Sequence, residues 1–434
     1  MTPTASRPLA SLVKAKACQS ELHRFPLSLL TVSMLLSLAG TSFAQESPID
    51  PSWVQQPRLP DLPPLRTQLQ LPDTLRFRVG QSVEHDSNIF RLADRDCRQA
   101  DTYGVTTLGM KFDKRYSLQR IELDVYAQDY RYQHNTALDF TALNYAAAWR
   151  WNLTPKLTGN VMADRREYLD NTTLVQSTGL VNRRTDDANR IDAEYEVGAA
   201  WRLLGGVFDR TIKNSAPLIQ GSDTKATGAE AGAKYVFRSG DFVAYRYRQG
   251  NGEYNGLPVS ALTPRNFTDK EHELSFEWLP ASSTSVQGRV SHLARNRDDT
   301  SANEFSGVVG RVNLSWIITG KTRIDVGVIR ELASYESDTL SYYDGERLYI
   351  SPVWKPTEKT AIRLRLDQGV RHYKGVVGYE GRRDELGQAG VSAEWEPQRF
   401  VKLIASLARD KRSSNFAGLD YKANVLGVSA LFSF

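Results

Sequence analysis

Cysteine is nearly absent from this 434-residue chain: there are two, and only Cys97 lies beyond the first 44 residues. A disulfide framework within the chain is therefore excluded. Past residue 44 no apolar run is long enough for a membrane-spanning helix. Charge of one sign is also missing. The net charge is +5, and Arg7, Lys14, Lys16 and Arg24 against Glu21 account for +3 of it, leaving +2 on the rest. That balance does not suit a nucleic-acid-binding protein. Catalytic signatures are equally sparse. His85, His134, His272, His292 and His372 pair with no Ser nucleophile in a recognisable motif, and no phosphate-cradling loop or metal-ligand cluster is present. The loop "RLADRDCRQAD" holds three aspartates that could bind a cation such as Ca²⁺, but this is the lesser reading of it. The reading is of a non-enzyme with no cofactor and no metal.

What the chain does have begins with an address. Lys14, Lys16 and Arg24 precede the apolar run "FPLSLLTVSMLLSLAG", and Ser42 and Ala44 occupy the small-residue positions of a signal-peptidase site. Residues 1–44 are expected to be a signal peptide cleaved after Ala44. Residues 45–72 form a second unit holding seven of the eighteen prolines, which favours an extended polyproline II segment. It is expected to be a periplasmic spacer or an arm that docks a periplasmic partner.

From residue 73 to 434 one pattern repeats. A short alternating segment ends in an aromatic residue, a tight turn follows, and alternation resumes. "WRWNLTPKLTGNV", "FEWLPASSTSVQGRV", "SWIITGKTRIDVGV", "PVWKPTEKTAIRLRL" and "AEWEPQRFVKLIA" show it most clearly. Weaker instances lie near residue 113, after Trp201 and at Phe237, giving eight short turns and eighteen strands. The opposite connections are longer and polar, the largest being roughly 84–102, 168–186, 212–224 and 251–268. Short turns at one end and long loops at the other predict an all-β fold: a transmembrane antiparallel up-and-down barrel of about eighteen strands in the bacterial outer membrane.

Alternation supports this strand by strand. Ile191, Ala193, Tyr195 and Val197 share one face while Asp192, Glu194 and Glu196 share the other. Six of the eight tryptophans gather beside predicted short turns, as an interfacial girdle requires. The chain also stops on an apolar strand, "YKANVLGVSALFSF", whose Val428, Ala430, Phe432 and Phe434 fall on the lipid face. That ending resembles the C-terminal signal by which outer-membrane barrels are recognised for insertion.

A barrel of this size leaves an aqueous lumen unless it is plugged. The inward set includes Arg246, Arg248, Arg289, Arg311, Arg363, Arg365 and Arg371, interspersed with carboxylates such as Glu230, Glu271, Glu273 and Asp367. These arginines either line a route for an anionic solute or form a self-neutralising ladder bracing the wall. Arg246 and Arg248 have no carboxylate on their own strand. In "HDSNIFR", Asp86, Ser87 and Asn88 are turn formers, after which Ile89, Phe90 and Arg91 either begin a structural loop or fold inward as a constriction.

The stretches "VEHDSNIFRLADRD", "LGMKFDKRYSLQRIELDVYAQDYRYQ" and "LDFTALNYAAAWRWNLTPKLTG" resemble the EpsL-type exopolysaccharide-biosynthesis outer-membrane proteins of proteobacterial loci associated with exosortase systems. The resemblance implies a role in producing or exporting extracellular polysaccharide. Together with the barrel and its arginine lining, the reading is of a passive export conduit, with outer-membrane lipid, the polysaccharide and a periplasmic partner at 45–72 as its contacts. The alternatives are an uptake porin for small anionic solutes and a plugged, non-transporting scaffold or adhesin.

Overall fold

A computed structural model describes residues 74–93, 98–170, 182–216, 220, 223–255, 266–297, 305–334, 342–374 and 381–434. The expected signal peptide, the proline-rich segment and positions 94–97 of the aspartate-bearing loop lie outside these residues. The eighteen strands run in chain order around one closed antiparallel sheet. The first hairpins are β1 Thr74–Asp86, β2 Asp101–Tyr116, β3 Gln119–Tyr132, β4 Phe140–Thr154, β5 Leu157–Asp170 and β6 Asn182–Val197. The next are β7 Trp201–Asn214, β8 Thr224–Val236, β9 Phe242–Tyr254, β10 Asn266–Ala281, β11 Thr284–Arg297 and β12 Phe305–Thr319. The circle is completed by β13 Thr322–Ser334, β14 Tyr342–Thr357, β15 Thr360–Lys374, β16 Arg383–Gln398, β17 Val401–Ser414 and β18 Tyr421–Ser433. A 3-10 turn, Thr136–Leu138, sits between β3 and β4. No described helix is long and apolar enough to cross a membrane; the strands do the crossing.

Closure joins β1 to β18, from Arg78 opposite Ser433 to Asp86 opposite Val425. Phe434 extends this seam, exchanging both backbone hydrogen bonds with Phe77 at 2.7 and 3.0 Å. The expected placement of the last strand's apolar face holds: Val428 is 61% exposed and Phe434 67% exposed on the outer surface.

The period-two pattern dictates which face is which. Leu108, Val207, Val308, Leu348, Leu366 and Leu426 stand exposed on one surface. The charged residues between them lie on the other, where next-nearest strands approach each other. In a closed cylinder that concave surface is the lumen, so the exposed apolar surface faces lipid. Trp149, Trp278, Trp316, Trp354 and Trp395 are all exposed at the short-turn end, and Trp151 packs outward over Gly159.

Two expectations need correction. The short turn lies before Trp201, not after it: β6 ends at Val197 and Gly198, with φ of +76°, begins the reversal. Trp201 then opens β7 and packs edge-on to Tyr235, still within the girdle. The long loops are also shorter than their polarity suggested, because strands of 13 to 16 residues run on into them. About ten residues suffice to cross the bilayer. The excess carries outward pairs such as Asp129 with Arg131 at 2.8 Å and Asn189 with Asp209 at 2.6 Å. Polar outward residues there mark wall standing clear of hydrocarbon, not loop.

Candidate functional site in the lumen

Inner side chains form rows that run around the barrel, and several rows skip a strand. Arg78 on β1 pairs with Asp124 on β3 across Gly109 of β2. Arg190 on β6 pairs with Glu230 on β8 across Gly206 of β7. Arg371 on β15 reaches Glu331 on β13 at 3.6 Å, passing Gly345 of β14. A Cβ at each crossing glycine would press to 3.0–3.3 Å from the bridging groups, tighter than ordinary contact. The absence of Cβ is thus what lets charge partners meet over a strand.

The densest row spans β6 to β11. Glu273 is wholly buried and accepts from Arg246 at 3.5 Å and Arg248 at 3.4 Å, with Arg289 2.7 Å away. Glu271 accepts from Arg248 at 2.6 Å and Arg289 at 3.1 Å. Glu230 accepts from Arg248 at 3.0 Å and also binds Arg190. Four guanidinium groups are thereby held on three carboxylates, and Arg311 on β12 stands in register opposite Arg289. Arg246 and Arg248 take their carboxylates from both neighbouring strands, which a reading of β9 alone could not supply.

The remaining arginines of the expected lumen set lie on β15 and are also paired. Arg363 donates to Glu394 at 3.3 Å, and Arg365 donates to Asp367 at 2.6 Å while lying over the Tyr349 ring. Their side chains keep 29% and 21% exposure, and that of Arg371 keeps 18%. Arg248, by contrast, keeps only 8%. Exposure is thus graded and not divided by strand: Arg246 of the belt keeps 19%, as much as Arg371. Charge on the belt is tied down in ion pairs.

The wall diametrically across from β14, around β5, is different. Its inner positions include Ala146 and Ala148 on β4, Met162 on β5 and Ala188 on β6. Asp164 sits among them with one carboxylate oxygen unpartnered. Arg150 on β4 and Arg190 on β6 share that wall, each paired with a carboxylate. At the short-turn mouth a cavity of about 470 Å³ is lined by Lys321, Arg323, Lys355, Arg363, Glu394 and Lys402 among others.

The stretch Asp86–Leu92 is an architectural clamp at the long-loop end. Asp86 accepts from the Asn88 backbone at 2.8 Å and from Arg91 at 2.6 Å. Arg91 also donates to Asp410 on β17 at 3.3 Å. Asn88, fully buried, binds both the N–H and the C=O of Leu92 and donates to the Lys422 carbonyl on β18 at 3.1 Å. Ser87 continues the β1–β18 ladder to Asn424. Burial alone would lower the Arg91 pKa, but Asp86 and Asp410 beside it hold it above its ordinary value. Ile89 turns in and joins a cluster of Tyr103, Val105, Tyr132, Leu138, Phe140, Ala142 and Leu169, with Phe90 packed against it. The segment is thus an anchored loop start, with Ile89 turned inward against the wall. Its lumen-side apolar patch on β2 to β5 had no signal in the sequence beyond Tyr and Phe at inward parity near strand ends. His272 and His292 face outward and stand opposite each other, as their parity required.

Comparison with known proteins agrees with the fold. The family described as "Putative beta-barrel porin 2" matches residues 282–434. That match lies outside the stretches within 74–160 that carry the EpsL-type resemblance. No curated protein matches the chain. Among solved structures, Pseudomonas aeruginosa OpdK with vanillate is 10% identical with a TM-score of 0.49, covering 83% of this chain and 99% of that one. A BenF-like porin from Pseudomonas fluorescens Pf-5 is 11% identical with a TM-score of 0.49, at the same coverages. OccK2 (OpdF) of Pseudomonas aeruginosa in complex with glucuronate is 10% identical with a TM-score of 0.48, covering 83% and 98%. Likenesses this distant say nothing of solute or direction. The chain is a porin-like β-barrel of the outer membrane.

Proposed function

We propose that the barrel is a passive channel for small anionic solutes entering the periplasm. The observation that carries this reading is the arginine lining of the lumen. Arg363, Arg365 and Arg371 on β15 keep 29%, 21% and 18% side-chain exposure, Arg246 on β9 keeps 19%, and the belt holds four guanidinium groups on three carboxylates. A carboxylate or phosphate on a solute exchanges with Glu394 or Asp367 for an arginine that stays positioned by its remaining contacts. Such contacts are strong enough for entry and replaceable enough for exit. Arg248 on β9 acts as a brace, holding Glu230, Glu271 and Glu273 in place.

Export of extracellular polysaccharide is the second reading, resting on the resemblance within 74–160. Residues 86–92 of that resemblance have a full structural account in the clamp, which weakens their weight as a sign of polysaccharide. The porin family matched over 282–434 adds to the first reading and not to this one.

Bilayer conductance of the purified mature protein in a KCl gradient tests the proposal. The expected reversal potential indicates preference for chloride, and replacing Arg363 and Arg365 by Gln shifts it toward potassium. Cation preference in the unaltered protein, or no conductance from folded barrels, overturns it. Blockade by polysaccharide fragments of the host, with small organic anions without effect, moves the assignment to export.

A further inference from the structure

Above the apolar band, outward-facing cations stand beside carboxylates at several places. Arg131 meets Asp129 at 2.8 Å, Arg165 meets Asp187 at 3.4 Å, Arg330 meets Glu346 at 2.9 Å, and Arg383 meets Glu385 at 3.0 Å. β17 and β18 depart from this arrangement. Arg409, Lys411 and Lys422 all face outward and all are exposed. None of the three has an ion-pair partner among the described residues.

Register brings them together. Lys411 lies directly opposite Lys422, and Arg409 lies opposite Asn424, one outward step nearer the membrane. Like charges directly opposite each other on one face of a sheet destabilise it. Here the flanking strands offer no relief. The outward residues of β16 in the same rows are Gly387 and Ala389. A Cβ on Gly387 would meet nothing within 4 Å, so a recess opens beside the cations. Glu385, the nearby outward carboxylate, stands opposite Ser413 and is taken by Arg383. Asp410 faces the lumen and is bound to Arg91. On the β1 side, His85 stands opposite Leu426.

Height decides what could neutralise this patch. Leu407, Leu426 and Val428 form the last exposed apolar residues beneath it. With a strand tilt near 40°, each residue adds roughly 2.5 Å of height, so the rise from Phe434 to Asn424 is about 25 Å, the height of the apolar band itself. Arg409 therefore stands at the upper edge of the hydrocarbon, and Lys411 and Lys422 one step above it, at headgroup level.

We propose that Arg409, Lys411 and Lys422 form a binding site for the phosphorylated headgroup of an outer-leaflet lipid. The phosphate accepts charge-assisted hydrogen bonds from the guanidinium and the two ammonium groups and removes their mutual repulsion. The acyl chains lie along Leu407, Leu426 and Val428, and the headgroup body occupies the recess over Gly387. This site is on the outside of the barrel and is independent of what passes through the lumen.

Native mass spectrometry of the purified mature protein, titrated with bisphosphorylated lipid A, its dephosphorylated form and phosphatidylcholine, tests the assignment. The expected result is lipid A adducts at low micromolar lipid, with apparent affinity falling tenfold or more in an Arg409→Gln, Lys411→Gln, Lys422→Gln variant. An Arg330→Gln variant is expected to bind as the unaltered protein does. Heat-modifiable gel mobility confirms folding, and single Lys411→Gln and Lys422→Gln variants, each expected to lose part of the affinity, serve if the triple variant fails to fold. Equal adducts in the triple variant and the unaltered protein overturn the proposal, as does equal binding of the dephosphorylated lipid. Displacement of lipid A by low millimolar inorganic phosphate also overturns it, because the site would then be one for free phosphate.

Discussion

The hydroxyl of Tyr349 on β14 donates to the Asn313 side chain on β12 at 2.9 Å, passing over Gly327 of the strand between them. The tyrosine ring lies so close that a Cβ at position 327 would come within 2.3 Å of it. Gly327→Ala is therefore expected to displace Tyr349 and break its bond to Asn313, lowering stability by about 1–3 kcal/mol. Thermal unfolding in detergent measures this. An unchanged midpoint would mean that the ring moves aside without cost.

Removing the centre of the buried belt has two readouts. Glu273 holds Arg246, Arg248 and Arg289. Glu273→Gln is expected to cost roughly 3 kcal/mol, since breaking a buried ion pair from one side leaves uncompensated charge. Where the variant folds, its conductance is expected to become more anion-selective, because the lumen has lost a negative charge. A shift toward cations would contradict the placement of this residue.

Arg91 joins two carboxylates and carries the turn that brings Ile89 inward. Arg91→Ala is expected to leave Asp86 and Asp410 without their shared cation and to loosen the segment from the wall. Limited proteolysis on intact cells is the check, with faster cleavage after residues 87–100 in the variant and unchanged cleavage in Arg383→Ala. Single-channel noise is expected to rise with it, since the apolar cluster at the mouth would lose its covering residues.

Phe434 separates assembly from stability. Its backbone closes the seam with Phe77, and its ring stays largely exposed to lipid. Phe434→Ala keeps the backbone pair, so refolded protein is expected to lose no more than about 1 kcal/mol. If the terminal aromatic is the insertion signal that it resembles, the amount of folded barrel in the outer membrane falls severalfold in cells. Equal losses in both measurements would assign the ring a structural role alone.

Much of the architecture is legible in the sequence, because period-two alternation and turn rhythm are local properties. The eight short turns, the outward tryptophans and the parity of every arginine in the lumen set follow from them. Trp201 was misplaced relative to its turn because Leu203, Leu204, Gly205 and Gly206 read as a reversal, while Gly198, which takes the positive φ, lies in a less conspicuous stretch. The ion-pair partners were not legible at all. Which carboxylate meets Arg371 depends on inter-strand register and on the missing side chain at Gly345, and neither is a property of β15. The clamp at Asp86–Leu92 was visible as turn chemistry, but its anchors on β17 and β18 lie more than 300 residues away.

The rows that pass over glycine have a consequence for how this lumen changes over time. Arg190 and Glu230 are 40 residues apart in the chain, Arg78 and Asp124 are 46 apart, and Tyr349 and Asn313 are 36 apart. A substitution at one end strands its partner two strands on, and the glycine between them admits no filler. Drift in solute preference should therefore proceed by coupled exchanges roughly one double hairpin apart, so that related sequences would carry correlated variation at intervals near forty residues around an otherwise freely varying wall.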